Sequence, residues 1–263
     1  MCVNERRIRG IMTAASGTAG GRNALRISIT AVFTALIAAA TMIFSIYVPA
    51  TRGYFNIGET MVYTTALLFG PLIGAVAGGV GSAISDLLLG YYQYALGTLI
   101  IKAAEGAIVG YLGSYLYRLK ADANWKITST LIGIAAAMLV GFIGTTYYTG
   151  PTQASIGIPG SVQTTLTVEV PVALWILLAV LIFIVIVSLG FSSQPQFVVM
   201  VLGILAGGTE MVLGYFLYEM GVLGLGWAAL AEIPFNLGQV SVGLLVSIPL
   251  VRAIWKRIPR FRA

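Results

Sequence analysis

Two charged side chains stand inside an apolar run that is otherwise typical of a membrane-spanning helix. The run is LIIKAAEGAIVGYL, residues 99–112, and it contains Lys102 and Glu105. Their i, i+3 spacing places them on one face of a helix, where they can interact. A charge at membrane depth costs a few kcal/mol on insertion scales, so such residues usually face a bundle interior and have a function. The spacing predicts either a ligand site between helices or a structural ion pair.

Other polar side chains occur at a similar depth in neighbouring apolar runs. At a rise of about 1.5 Å per residue, Asp86, Glu232 and Asn236 fall in the outer half of their helices, level with Lys102. Asn236 and Gln239 follow Glu232 at i+4 and i+7, which makes one polar stripe. These positions predict a shared polar cavity in the outer half of a bundle.

Two short segments above this level are rich in aromatic and polar residues. They are RGYFNIGE at 52–59 and GYYQYA at 90–95, and we expect them to form a lid, although their tyrosines also fit an interfacial belt. The cavity is rich in acidic groups, which favours a neutral or cationic ligand over a phosphorylated one. The residues predicted to bind the ligand are Tyr54, Asn56, Glu59, Asp86, Tyr92, Gln93, Lys102, Glu105, Tyr215, Glu232, Asn236 and Gln239.

Composition places the chain among all-α integral membrane proteins. Of its 263 residues, 58% are hydrophobic and 9% are charged, and mean hydropathy is +0.94; soluble domains have roughly 25% charged residues. Hydrophobic runs predict eight membrane helices, the second unusually short. They lie at 25–48, 60–70, 71–91, 95–117, 127–148, 171–191, 196–218 and 228–253.

Basic residues set the expected orientation and the domain limits. Nearly all Lys and Arg fall on one side if the spans alternate, which predicts that both termini are cytoplasmic. The same asymmetry accounts for the net charge of +6 without a nucleic-acid partner. We expect a cytoplasmic tail at 1–24, a single transmembrane domain at 25–255 and a basic tail at 256–263. The polar segment 149–170 should be an outer loop containing some strand.

The residue inventory argues against most enzyme classes. The chain has no histidine and a single cysteine, Cys2, so the commonest metal ligand and general base are missing. We expect no metal or cofactor. No GxxxxGK[ST] loop for ATP is present, so ATP-driven action would need a partner subunit.

The longest motif run resembles a known family of membrane proteins. ALLFGPLIGAVAGGVGSAISDLLLGYYQYALGTLIIKAAEGAIVGYL at 66–112 resembles the riboflavin and hydroxymethylpyrimidine branch of the S components of energy-coupling factor (ECF) vitamin transporters. MVLGYFLYE at 211–219 and AEIPFNLGQVSVGLL at 231–245 are also similar, as is a stripe of small residues on the first helix, Ala31, Ala35 and Ala39.

The resemblance implies a six-helix bundle that binds a vitamin or vitamin precursor from outside and catalyses no reaction. It also implies a transmembrane coupling protein, on which the alanine stripe docks, and two cytoplasmic ATPases. Residues 119–195 are expected to be an inserted two-helix hairpin, because the family usually has six helices. Riboflavin or a pyrimidine compound is the expected ligand. A self-contained ion-coupled carrier of a small organic solute remains the alternative, and an intramembrane enzyme is a weaker third class.

Overall fold

The computed structural model describes residues 19–48, 50–115, 124–147, 149–156, 164–191 and 195–258. All eight predicted helices are present in this part of the chain, which confirms the all-α membrane class. Of the predicted tails, 1–24 and 256–263, residues 1–18 and 259–263 lie outside the described residues, whereas 19–24 and 256–257 belong to the first and last helices. The helices are α1 (Ala19–Ile43), α2 (Glu59–Phe69), α3 (Pro71–Leu89), α4 (Tyr92–Tyr115), α5 (Asn124–Tyr147), α6 (Val172–Phe191), α7 (Pro195–Leu217) and α8 (Ile233–Arg257).

Six helices of the described chain are long and apolar enough to cross a membrane. The apolar part of α6, Val172–Ser188, is slightly shorter, and α2 has only 11 residues, about 16 Å at 1.5 Å per residue. Helix α2 ends because Gly70 has a φ of 85° and Pro71 then begins α3. A left-handed glycine followed by a proline stops one helix and starts the next.

The end of the first predicted span is wrong, because the helix stops at Ile43. Ser45–Val48 forms β1, which pairs antiparallel with β2 (Gly53–Asn56). The intervening turn has Arg52 in the left-handed region, with a φ of 56°. Apolar β-branched and aromatic residues such as those of β1 also fit a membrane helix by hydropathy, so the sequence did not separate the two. The first predicted outer loop, 52–59, therefore contains strand β2 and the first residue of α2.

The prediction of a second outer loop at 90–95 is also wrong, because most of this segment is helical. Gly90, with a φ of 87°, caps α3, and α4 already begins at Tyr92. The connection is a tight turn and is too short to fold over the bundle.

Small residues allow α3 to lie close to α4. A Cβ on Gly74 would lie 2.8 Å from the backbone oxygen of Gly106, and one on Gly79 would lie 2.6 Å from that of Leu99. Substitution at either glycine would therefore push the backbones apart. Close backbone approach through small residues is the usual basis of helix association in lipid.

Two further helices complete a bundle around α2. Helix α7 packs along α4, and α8 packs along α2 and α7. The core between them includes the buried side chains of Tyr63, Val109, Ile204, Met211 and Leu244. This core fixes the rotation of α2, α4 and α8, and thereby points their polar side chains inward.

Helices α5 and α6 form a separate pair beside the bundle. They pack closely on each other and make few contacts with α7 and α8. Between them the chain forms the hairpin of β3 (Gly150–Ile156) and β4 (Thr164–Val170), so the expected strand in the outer segment is present. Strand β3 lies beside β1.

Candidate functional site

A buried ion-pair cluster lies beneath the β1–β2 hairpin. Lys102 on α4 contacts Glu59 at the start of α2, and its Nζ lies 3.1 Å from Oε2 of Glu105. The hydroxyl of Tyr63 donates to Oε1 of Glu105 at 2.8 Å. All four residues are at least 95% buried. Lys102, Glu59 and Glu105 form the floor of the site, and we call these three residues the Lys102 cluster. Its one ammonium group forms ion pairs with two carboxylates.

The wall on the α3 side is built from Asp86 and Tyr54. The Tyr54 hydroxyl donates to Oδ1 of Asp86 at 2.7 Å, and its ring stacks on Tyr91 with centroids 4.4 Å apart. Burial, together with the Asp86 carboxylate, raises the pKa of Tyr54 well above its ordinary value. The phenol therefore stays protonated at neutral pH and can donate to Asp86.

Glu232, which directly precedes α8, and side chains of α8 hold the β1–β2 hairpin over this floor. The hydroxyl of Thr51 donates to Glu232. The backbone N–H of Asn56 donates to Oε1 of Gln239 at 3.3 Å, and Nε2 of Gln239 donates to Oδ1 of Asn236 at 2.8 Å. These bonds join the hairpin to α8 over the cavity.

Tyrosines close the remaining side. The Tyr215 hydroxyl donates to Oγ1 of Thr98 at 3.0 Å, and Nζ of Lys102 lies 5.5 Å from the centre of the Tyr215 ring. The Tyr94 hydroxyl lies 2.8 Å from the Thr51 carbonyl oxygen and 3.3 Å from Oε1 of Glu219. The tyrosine hydroxyls thus face the cavity network, which a simple interfacial belt does not require.

These elements enclose a polar cavity of about 30 Å³, so a ligand larger than a water molecule or two requires the β1–β2 hairpin to open. Eight of the predicted site residues line it: Tyr54, Asn56, Asp86, Lys102, Tyr215, Glu232, Asn236 and Gln239. Glu59 and Glu105 lie beneath it in the Lys102 cluster. Tyr92 and Gln93 do not line the cavity. Both lie in the first turn of α4 and are exposed, Tyr92 to 71%.

Sequence reasoning missed several lining residues. Thr41, Ser82, Tyr94, Thr98 and Glu219 also border the cavity. Glu219 follows α7 in a π-helical turn, Tyr218–Val222, that keeps its side chain fully buried. The sequence feature that could have indicated Glu219 is its position at the outer end of the predicted span 196–218. Among the described residues, no group of His, Cys, Asp or Glu side chains is placed to hold a metal ion.

The alanine stripe lies away from the cavity. Ala31, Ala35 and Ala39 are exposed on α1 and line a long apolar groove between α1 and α3 with a volume of about 1230 Å³. The groove begins near Arg26 and Pro71, at the end of the bundle predicted to be cytoplasmic.

The family model described as "ECF-type riboflavin transporter, S component" matches residues 22–192. The chain belongs to this family. The match covers α1 to α6 and ends before α7 and α8. The family consists of transporter components and not of enzymes, so this ECF S component is a multi-pass membrane protein of a transport system.

Two relatives are similar to parts of this ECF S component. An uncharacterized protein of Pyrococcus woesei is 40% identical over 113 residues, which are 42% of this chain and 71% of the relative. The thiamine precursor transporter HmpT of Lactococcus lactis subsp. cremoris (strain MG1363) is 28% identical over 90 residues, 34% of this chain. The chain spans about half of the latter relative, 54% of its length.

Proposed function

We propose that the protein binds a vitamin or vitamin precursor from outside the cell and is the substrate-specific subunit of an ECF transporter. Riboflavin, from the family description, and a pyrimidine-type thiamine precursor, from the Lactococcus relative, are the two leading ligand classes. The observation that carries this proposal is the polar cavity in the outer half of the bundle, closed above by the β1–β2 hairpin. Convergent polar and aromatic side chains are typical of a small-molecule site, and a vitamin would occupy this one with the β1–β2 hairpin open.

In this proposal the polar side chains divide into two roles. The Lys102 cluster forms the floor, because the buried Lys102 ammonium contacts both Glu59 and Glu105 and so joins α4 to the start of α2. Asp86, Glu232 and Asn236 present hydrogen-bonding atoms to the ligand from α3 and the start of α8. The β1–β2 hairpin opens to admit the ligand, and its bonds to Glu232 and Gln239 hold it closed.

The exposed alanine stripe of α1 is proposed as the docking surface for the transmembrane coupling protein. Small side chains allow another helix to approach closely in lipid, and Ala31, Ala35 and Ala39 leave the groove beside α3 open. Two cytoplasmic ATPases would then supply the energy, which agrees with the missing ATP-binding loop in the sequence.

We further propose that residues 119–195 are an insertion between the fourth and fifth helices of a six-helix bundle. The support is the packing: α5 and α6 contact mainly each other, whereas α7 and α8 line the cavity. The family match includes α5 and α6 but not α7 and α8, so this assignment rests on the packing.

The proposal is tested by identifying what the protein carries. The full chain is purified in mild detergent and denatured, and released small molecules are identified by mass spectrometry. A panel of vitamins is then tested for thermal stabilisation. A released or stabilising vitamin supports the proposal, and the absence of both would contradict it.

One set of observations favours a second candidate, an ion-coupled carrier. Asp86, Glu219 and Glu232 are buried carboxyl groups in the membrane domain, and such groups often carry protons or ions in transporters. Uptake by the purified protein in ATP-free vesicles, abolished when the ion gradient is dissipated, would favour this candidate. Uptake that requires the coupling protein and ATP would exclude it.

A further inference from the structure

The charges around the cavity are strongly unbalanced. Asp86, Glu219 and Glu232 line it from three different elements, and each is at least 95% buried. Lys102 is the one Lys or Arg among the lining residues that the structure describes, and it is already bound by Glu59 and Glu105 beneath the cavity. The three lining carboxyl groups therefore have no basic partner of their own.

Neutral hydroxyl groups are the donors that reach these three acids. Tyr54 donates to Asp86, with the Thr98 hydroxyl also beside it. Thr51 donates to Glu232, and the Tyr94 hydroxyl lies beside one oxygen of Glu219. The other oxygen of Glu219, Oε2, is buried without a hydrogen-bond partner. A buried carboxylate with an unpaired oxygen is costly unless a donor or a cation reaches it.

Aromatic rings complete the wall beside these acceptors. Tyr94 and Tyr215 line the cavity with ring centroids 6.5 Å apart and an interplanar angle of 52°. Tyrosine faces attract cations and pack on flat rings. The combination of unpaired acid oxygens and aromatic faces suits a flat ligand whose edge carries N–H donors.

We propose that the cavity selects a small nitrogen heterocycle that carries amino groups or a positive charge, and that it rejects phosphorylated forms of the same ring. The ligand's N–H groups donate to Glu219 and Glu232, and its ring packs against the tyrosines. This inference rests on the proposed binding function and narrows its ligand class: of the two leading candidates, it selects the aminopyrimidine over the flavin.

Matched ligand pairs test the inference on the unaltered full chain in detergent by calorimetric titration. The first pair is 4-amino-5-hydroxymethyl-2-methylpyrimidine and its 4-hydroxy counterpart, and the second is thiamine and thiamine monophosphate. In each pair we expect the first compound to bind at least about tenfold more tightly, the scale of one lost hydrogen bond to a charged group. Equal affinities within both pairs would overturn the inference.

Isosteric neutral variants test which acids are responsible. Glu219→Gln and Glu232→Gln should each reduce affinity for the amino compound about tenfold or more. Glu169→Gln is the matched control, because Glu169 is exposed on β4 outside the cavity, and it should bind as the unaltered chain does. Thermal unfolding without ligand identifies any variant that fails to fold. If an acid variant fails to fold, the affinities of the matched ligand pairs for the unaltered chain decide whether the inference holds.

Riboflavin separates the failure of this inference from the failure of the proposed function. If riboflavin binds at least as tightly as the amino compound and both acid variants retain that affinity, the ligand class is wrong while the binding function stands. If no compound of the panel binds, the proposed function falls, and the inference falls with it.

Discussion

Removing the ammonium group of the Lys102 cluster should destabilise the protein more than any other single charge removal. Lys102→Met keeps the unbranched stem of the side chain without its ammonium group and leaves Glu59 and Glu105, both at least 99% buried, without a cation. Breaking a buried ion pair by removing one partner costs about 3–5 kcal/mol. At about 2–4 °C per kcal/mol for a chain of this size, the unfolding midpoint should fall by roughly 6–20 °C.

The assay is thermal unfolding of the purified protein in one detergent, followed by the helical circular dichroism signal. Lys126→Met is the matched control, because Lys126 is exposed on α5 and its Nζ lies over the ring of Phe191 at 5.4 Å; its midpoint should change by no more than about 2 °C, as expected for a surface substitution. The triple variant Lys102→Met, Glu59→Gln, Glu105→Gln removes all three charges and should recover most of the loss. A midpoint for Lys102→Met that matches the control would refute the reasoning that Lys102 compensates two buried acids.

Three further substitutions test the other parts of the structure. Gly53→Ala should speed release of a ligand bound in the cavity roughly tenfold, measured by ligand exchange, because the new Cβ would lie 2.8 Å from Oε1 of Glu232 and overpacking costs about 1–3 kcal/mol. Tyr54→Phe removes the donor to Asp86 and should cost about 1–3 kcal/mol of unfolding free energy, measured by thermal or denaturant unfolding. Ala35→Leu should reduce co-purification with the coupling protein and uptake in reconstituted vesicles, while ligand affinity stays unchanged, because Ala35 lines the α1–α3 groove and not the cavity.

Each of these has a control at a position away from the feature that is tested. Gly20→Ala adds a methyl group where no other atom lies within 4 Å, and Tyr92→Phe removes the hydroxyl of an exposed tyrosine. Leu36→Phe adds bulk to an exposed position of α1 that does not line the groove. If a control variant behaves like its partner, the corresponding local explanation is wrong.

The sequence predicted the helices well because hydropathy and helical spacing are local properties. It also placed Asp86, Lys102, Glu232 and Asn236 at a common depth, since depth follows from counting residues along each span. The structure adds the rotation of each helix, and this brings those four side chains to one cavity.

The missed features depend on contacts between distant segments. The pairing of Lys102 with Glu59 joins α4 to α2, and no spacing within either segment indicates it. Hydropathy predicts helix at β1, because its residues are as apolar as those of a membrane span. The aromatic run 90–95 predicts a loop that includes Tyr92, but the turn at Gly90 is shorter than that run. A single sequence does not supply these three-dimensional constraints.

The depth of the Lys102 cluster sets how far a solute can travel before it reaches the floor of the cavity. Glu59, at the first residue of α2, and Lys102, ten residues beyond Tyr92 at the start of α4, meet about 15 Å below the outer end of α4. That depth is about half of a hydrocarbon layer some 30 Å thick. A solute resting on the Lys102 cluster would have crossed about half of this layer, so a transport step would need to open only the inner half of the path.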